Sequence, residues 1–80
     1  MIRRKCIEFN GDFWHCNPDD FNGNDIHRVK NKTAKEIWEI DRNKIDLIKS
    51  KGYDVLTIWE SEYRKDPEST LKKCLNFLND

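Results

Sequence analysis

Three side chains that could transfer protons or bind a metal stand out in this sequence: Glu8, His15 and Asp41. Glu8 lies between apolar residues, where a carboxylate without a partner would be costly to bury. His15 carries an imidazole, which ionises near neutral pH and can therefore accept and return a proton. Asp41 interrupts a run of apolar residues at helical spacing. Together, these residue types predict acid–base or metal chemistry.

The elements that would position these side chains follow from local patterns. Period-two alternation before Gly11 predicts a strand, and Thr33 with Glu36 matches the capping box of a helix start. Asp66-Pro67 is typical of a second helix start. The predicted bounds are 3–10 for the first strand, 11–32 for a loop, 33–51 for the first helix, 53–60 for a buried strand and 66–79 for the last helix.

This order of elements, β-α-β-α, predicts an α/β fold in which a helix connects two parallel strands. His15 would lie just beyond the carboxyl end of the first strand, where open α/β sheets collect their ligands. Two strands alone make a poor sheet. We therefore expect residues 1–80 to form a single partial domain, the latter half of a larger α/β domain.

The composition indicates a small globular domain with a thin core, since 36% of the 80 residues are hydrophobic and 38% are charged. Fifteen basic residues balance fifteen acidic ones, so net charge does not argue for nucleic acid. The three cysteines form no CxxC pair, and no signal peptide or membrane span is predicted. A reducing cytoplasm is the expected compartment.

Asp41 would lie on the inward side of the first helix, where an unpaired carboxylate is destabilising. One interpretation pairs it with His15, or with Glu8 and a metal ion. The alternative places Asp41 at the edge of the apolar stripe, bonded to Arg42, Lys44 or a loop amide. Helical periodicity leaves both interpretations open.

His15 and the nearby cysteines are also residue types that can form a zinc site or a Cys–His nucleophile pair. A zinc site would need closely spaced ligand pairs, which Cys6, Cys16 and His27 do not form with His15. A Cys–His nucleophile pair would need an oxyanion loop and a third orienting group, and the sequence shows neither.

Positive charge and aromatic side chains are concentrated around the long loop. Phe13 and Trp14 are either core residues or wedges that could enter stacked bases. The basic cluster is either an ordinary solvated loop or a surface that neutralises phosphates. It comprises Arg28, Lys30, Lys32 and Lys35, with a second cluster at Arg3, Arg4 and Lys5.

Residues 9–15 (FNGDFWH) and 52–60 (GYDVLTIWE) resemble the very-short-patch-repair endonucleases and, more closely, the related phage proteins and homing endonucleases of the EDxHD type. The resemblance implies a PD-(D/E)XK nuclease fold, a DNA partner and Mg²⁺. It also implies a bacterial or phage-infected cell as the location.

The resemblance further implies a role for each site residue. His15 matches a general base or proton shuttle, and Asp41 matches the aspartate that orients it. Phe13 and Trp14 match an aromatic pair that is pushed into DNA. Glu8 falls where the metal-binding acid of the (D/E)XK strand would lie.

The chain departs from that family at three places. Asp12 and Ser61 stand where the repair enzymes have zinc-binding cysteines, so no zinc is expected. Asn10 replaces the usual lysine. The aspartate of the PD half-motif should precede Glu8 on a neighbouring strand, but only seven residues precede Glu8 and none is acidic.

These observations predict a metal-dependent DNA endonuclease domain that is incomplete as an isolated chain. The alternative is a non-catalytic, truncated or split remnant that binds DNA or a complementing chain, which would supply the missing N-terminal strands. A small α/β interaction protein without a nucleic-acid role is the third hypothesis.

Overall fold

A computed structural model of the chain describes residues 4–80, and within them the fold is mixed α/β. Arg3, which belongs to the predicted first strand and to the second basic cluster, lies outside the described residues. The elements in chain order are β1 (Arg4–Asn10), β2 (Ile26–His27), β3 (Lys32–Thr33), α1 (Ala34–Ser50), β4 (Tyr53–Trp59), α2 (Glu60–Lys65) and α3 (Pro67–Asn79).

The main sheet has two parallel strands, β1 and β4, which α1 connects. Arg4 lies opposite Tyr53 at one end and Asn10 opposite Trp59 at the other. The predicted mixed α/β class with parallel strands is therefore confirmed. Between β1 and α1, β2 and β3 form a short antiparallel pair where the sequence predicts only a loop and, at Thr33, the helix start.

Helix α1 begins where the capping-box pattern predicts. Thr33 is its N-cap: the Thr33 hydroxyl accepts from the Glu36 backbone N–H at 3.2 Å, and the Glu36 carboxylate accepts from the Thr33 N–H at 3.2 Å. The helix stops before Gly52, whose φ of +92° lies in the left-handed region that favours glycine. Local signals alone are therefore sufficient to place both helix ends.

Helix α2 was not predicted, and it includes Glu60, which the sequence analysis assigned to the preceding strand. Arg64 and Glu60 lie one helical turn apart and form an ion pair at 2.7 Å, which stabilises this short helix. Asp66 then caps α3 by accepting from the Ser69 N–H at 3.0 Å, and Pro67 opens the helix as predicted.

The core is small, and in it the loop after β1 packs against the start of α1. Cys16, Ala34 and Ile37 are buried together, and Trp38 packs against them. The Trp38 indole N–H donates to the Cys16 carbonyl oxygen at 2.6 Å. Between residues 4 and 80, no helix is long and apolar enough to cross a bilayer.

Candidate functional site

A tight turn directly after β1 carries the candidate catalytic histidine. The His15 N–H donates to the Gly11 carbonyl at 3.1 Å, and the Asn17 N–H donates to the Asp12 carbonyl at 2.9 Å. These bonds fold residues 11–17 back at the end of the strand. Since buried Cys16 anchors the turn against α1, His15 is held beside that helix.

His15 and Asp41 meet between this turn and α1. The distance between His15 Nδ1 and Asp41 Oδ2 is 2.8 Å, and the two side chains are 28% and 24% exposed. Because an ionised carboxylate can only accept, Nδ1 carries the hydrogen when Asp41 is charged. In the neutral imidazole, His15 Nε2 then has a free lone pair, so the pair can accept a proton from a bound molecule.

Helix geometry explains why Asp41 reaches His15. Ile37 lies one turn earlier on the same side of α1, and its buried side chain packs with Ala34 and Cys16. This packing presses that side of the helix against the turn that carries His15. The carboxylate that interrupts the apolar stripe is therefore paired with an imidazole instead of an apolar neighbour.

Glu8 is not joined to this pair. Its carboxylate forms an ion pair with the Lys44 ammonium at 3.6 Å, and the Cys6 thiol lies 3.9 Å from its other oxygen. No hydrogen bond or ion pair connects Glu8 with His15 or Asp41 within residues 4–80. Nor do the described residues bring together three or more His, Cys, Asp or Glu side chains that could hold a metal ion. This donor set does not fit a complete Mg²⁺ site.

The aromatic pair packs against His27, for which the sequence suggests no role other than zinc binding. The ring of buried His27 lies 4.3 Å from that of Phe13 and 5.7 Å from that of Trp14, centroid to centroid. His27 Nδ1 accepts from the Val29 and Lys30 backbone N–H groups at 3.2 and 3.0 Å. Nε2 therefore carries the ring hydrogen, and no partner among residues 4–80 accepts it.

The residues of the basic cluster have different surroundings. The Lys30 ammonium donates to the Trp14 carbonyl at 2.6 Å, which places one cation beside the aromatic pair. Lys30 and Lys32 also line a cavity of about 320 Å³ together with Asp41. Lys35 lines a different groove, and Arg28 is exposed.

Asn10 adjoins the site in a way that the sequence analysis did not predict. It is only 7% exposed, and with Asp41 and Trp59 it lines a groove of about 480 Å³ between the sheet and α1. The alternating pattern predicted that β1 has two distinct faces, but it could not show that α1 covers the face that carries Asn10.

A polar cluster occupies the positions where the resemblance would place zinc-binding cysteines. Asp12 accepts hydrogen bonds from the Asn17 amide at 3.0 Å and from the Ser61 hydroxyl at 3.2 Å. The bond from Asn17, the largest influence, and those from Ser61 lower the pKa of Asp12 below its usual value. These bonds join the turn to α2.

The resulting site is a partly exposed His–Asp pair beside a cavity lined by lysine and isoleucine side chains, with two exposed aromatic rings on the same turn. No protein family, curated protein or solved structure matches this chain.

Proposed function

We propose that the chain is part of a PD-(D/E)XK-type DNA endonuclease and contributes the proton-transferring pair for phosphodiester hydrolysis. The observation that supports this most is the 2.8 Å contact between His15 and Asp41. The two residues lie 26 positions apart in the chain, and both match functional positions of the nucleases that the sequence resembles.

In the proposed reaction, His15 Nε2 takes a proton from the water that attacks the phosphorus. Asp41 accepts the Nδ1 hydrogen throughout, orients the ring and stabilises its cationic form. The imidazolium can then return its proton to solvent or to the leaving oxygen. The partial exposure of both side chains leaves the pair accessible to a bound phosphodiester.

DNA contacts are proposed for the side chains around the pair. Phe13 and Trp14 are exposed enough to stack on bases or to wedge between them. Lys30 and Lys32 line the cavity that Asp41 shares, where they could contact phosphates next to the scissile bond. Arg28 and Lys35 would contribute more distant contacts.

The Mg²⁺ dependence implied by the resemblance remains a prediction. In such an enzyme, the metal would stabilise charge on the phosphate. Glu8 could supply one carboxylate only after leaving Lys44, and the other ligands would have to come from a complementing chain. No step of the proposed mechanism is therefore assigned to a metal held by residues 4–80.

A non-catalytic DNA-binding remnant is the second candidate. It is favoured by the ion pair between Glu8 and Lys44 and by the lack of a metal-binding group among the described residues. In this case the aromatic and basic side chains would bind DNA, and the His15–Asp41 pair would have no reaction to support.

Plasmid nicking with Mg²⁺, and with chelator as the blank, tests the endonuclease proposal. We expect His15→Ala to lower the nicking rate by about 100-fold or more, because general acid–base groups contribute at least that much. Asp41→Asn should also lower it, since the amide does not hold the imidazole in the same state. Asp46→Asn changes an acid on the same helix outside the pair and serves as the matched control.

Each outcome separates the two candidates. A His15→Ala protein that nicks as fast as the wild type would contradict the assigned role. If the wild type does not nick but shifts DNA in a gel, and Trp14→Ala weakens that shift, the result favours a DNA-binding remnant over a chain that cleaves DNA alone. If it neither nicks nor binds DNA, both candidates are wrong.

A further inference from the structure

The outer edge of β1 has no strand beside it within residues 4–80, since β1 pairs only with β4. An open edge presents unpaired backbone N–H and C=O groups to a passing strand. A two-stranded sheet relies on packing against helices for its stability, and here α1, α2 and α3 all contact β4. The outer edge of β1 therefore has the geometry to accept another strand.

Apolar side chains are exposed on α1 next to this edge. Lys44 reaches Glu8 of β1, so its side of the helix adjoins the strand. Ile40 and Leu47 lie on the same helical stripe as Lys44 and are 52% and 59% exposed. A partner on the β1 edge would bring apolar surface to these residues.

We propose that the occupant of this edge is a second copy of the chain, with the two β1 strands antiparallel about a twofold axis. The product would be a four-stranded sheet with β4 at each outer side. The inference goes beyond the proposed function, because it concerns how the chain associates and not the source of further metal ligands. Its readout is association without DNA, so it can fail independently of the nuclease activity.

Charge favours a second copy as this partner. The beginning of β1 carries the basic residues Arg4 and Lys5, and Glu8 lies toward its end. Antiparallel self-pairing brings the basic end of each strand to the acidic part of the other. The edge is therefore self-complementary, as an interface between identical chains requires.

The register follows from the same charges. Residues that face each other across an antiparallel pair lie on the same side of the sheet. With Cys6 opposite its own copy, Arg4 of each chain faces Glu8 of the other. If the pair is centred on Lys5 or on Glu8, that residue faces its own copy, so like charges are opposed. If it is centred on Ile7, no residue faces one of opposite charge. The Cys6-centred register is the one with two favourable charge pairs.

The arrangement also covers the exposed stripe of α1. A twofold axis normal to the sheet keeps the α1 helices of both copies on the same face, on either side of the new strand pair. Ile40 and Leu47 of one copy then lie toward the same residues of the other. Burial of apolar surface would add to the strand pairing.

Sedimentation of the full chain over a range of concentrations tests the proposal. The wild type should show a monomer–dimer equilibrium. Arg4→Glu and Glu8→Arg should each weaken association by about tenfold or more, because either change puts like charges at both symmetric pairs. Lys65→Glu and Glu39→Arg alter charge away from β1 and should dimerise as the wild type does.

Mixing the two weakened variants gives the sharpest result. In the heterodimer, the Arg4→Glu chain and the Glu8→Arg chain form two opposite-charge pairs again, so association should recover. This recovery also shows that both variants are folded. A wild type that stays monomeric, or a dimer indifferent to both substitutions and to mixing, overturns the proposal.

Cross-linking provides a second measurement of the register. Opposed Cys6 side chains would have Cβ atoms about 5 Å apart, within reach of a short bis-maleimide. The wild type and Cys74→Ser should form a covalent dimer, and Cys6→Ser should not. Cross-linking that persists without Cys6, or that requires Cys74, contradicts the Cys6-centred register.

Discussion

The chemistry proposed for this protein depends on individual hydrogen bonds at a few residues. The contact between His15 and Asp41 is partly exposed, so water screens its charges and its effect on stability is small. The proposed role of this contact is to orient the imidazole of His15. Buried His27 has different surroundings, because its ring accepts hydrogen bonds from two backbone N–H groups and packs against the aromatic pair. The two histidines thus have separate roles, one proposed in proton transfer and one in packing.

The acid side of the stability profile should depend on Asp12. Its pKa lies below the usual 3.8 because the Asn17 amide, and secondarily Ser61, hydrogen-bond to the carboxylate. A lowered folded-state pKa contributes stability above the unfolded-state value, and that contribution is lost as pH falls through the folded-state pKa. Asp12→Asn should therefore be less stable than wild type near pH 6, with a difference that shrinks below about pH 4. Urea unfolding at both pH values measures this. A difference that does not change with pH would contradict it.

At the scale of elements, the site depends on how the turn after β1 and helix α1 are held together. The turn contributes His15, the helix contributes Asp41, and the shared core around Cys16 fixes one against the other. Burial raises the pKa of the Cys16 thiol, which keeps it protonated and unreactive at neutral pH. The start of α1 therefore matters to the geometry of the candidate site.

Removing the cap of α1 should destabilise the protein measurably. Thr33→Ala removes the hydroxyl that accepts from the Glu36 N–H, and the expected loss is about 1 kcal/mol in the free energy of unfolding. Thr33→Ser keeps a hydroxyl at the N-cap and is the matched control. Chemical denaturation of both variants gives the comparison. Equal stability of the alanine and serine variants would show that the cap contributes nothing.

At the scale of the whole molecule, this protein has little buried core and much exposed apolar surface. The fully buried hydrophobic side chains are few among the described residues, whereas several large ones on α1 and α3 are exposed. Such a molecule gains much of its stability from a small number of positions. Its exposed apolar stripes are also the surfaces on which a second chain could pack.

Two isoleucines of α1 allow a test of how unevenly the stability is distributed over the molecule. Ile37 is 2% exposed and Ile40 is 52% exposed, although they have the same type and lie on the same helix. Ile37→Ala should lower the free energy of unfolding by about 2–5 kcal/mol, because it leaves a cavity. Ile40→Ala should change it by about 0.5 kcal/mol or less in the monomer. Denaturation at low protein concentration tests both, and similar losses would contradict the core described above.

The sequence by itself determined where α1 begins and ends and where α3 begins, because these signals are local: the capping box at Thr33, the stop at Gly52 and the Asp66-Pro67 start each act within a few residues. It did not reveal β2, β3 or α2. It also named His15 as one of several candidate partners for Asp41, since a carboxylate on an inward helix face needs a partner, and left the choice open. Only the tertiary structure decided that they meet, that Glu8 pairs with Lys44, and that His27 lies under the aromatic rings. These contacts join residues far apart in the chain. They depend on how turn, helix and sheet pack together, which no local pattern specifies.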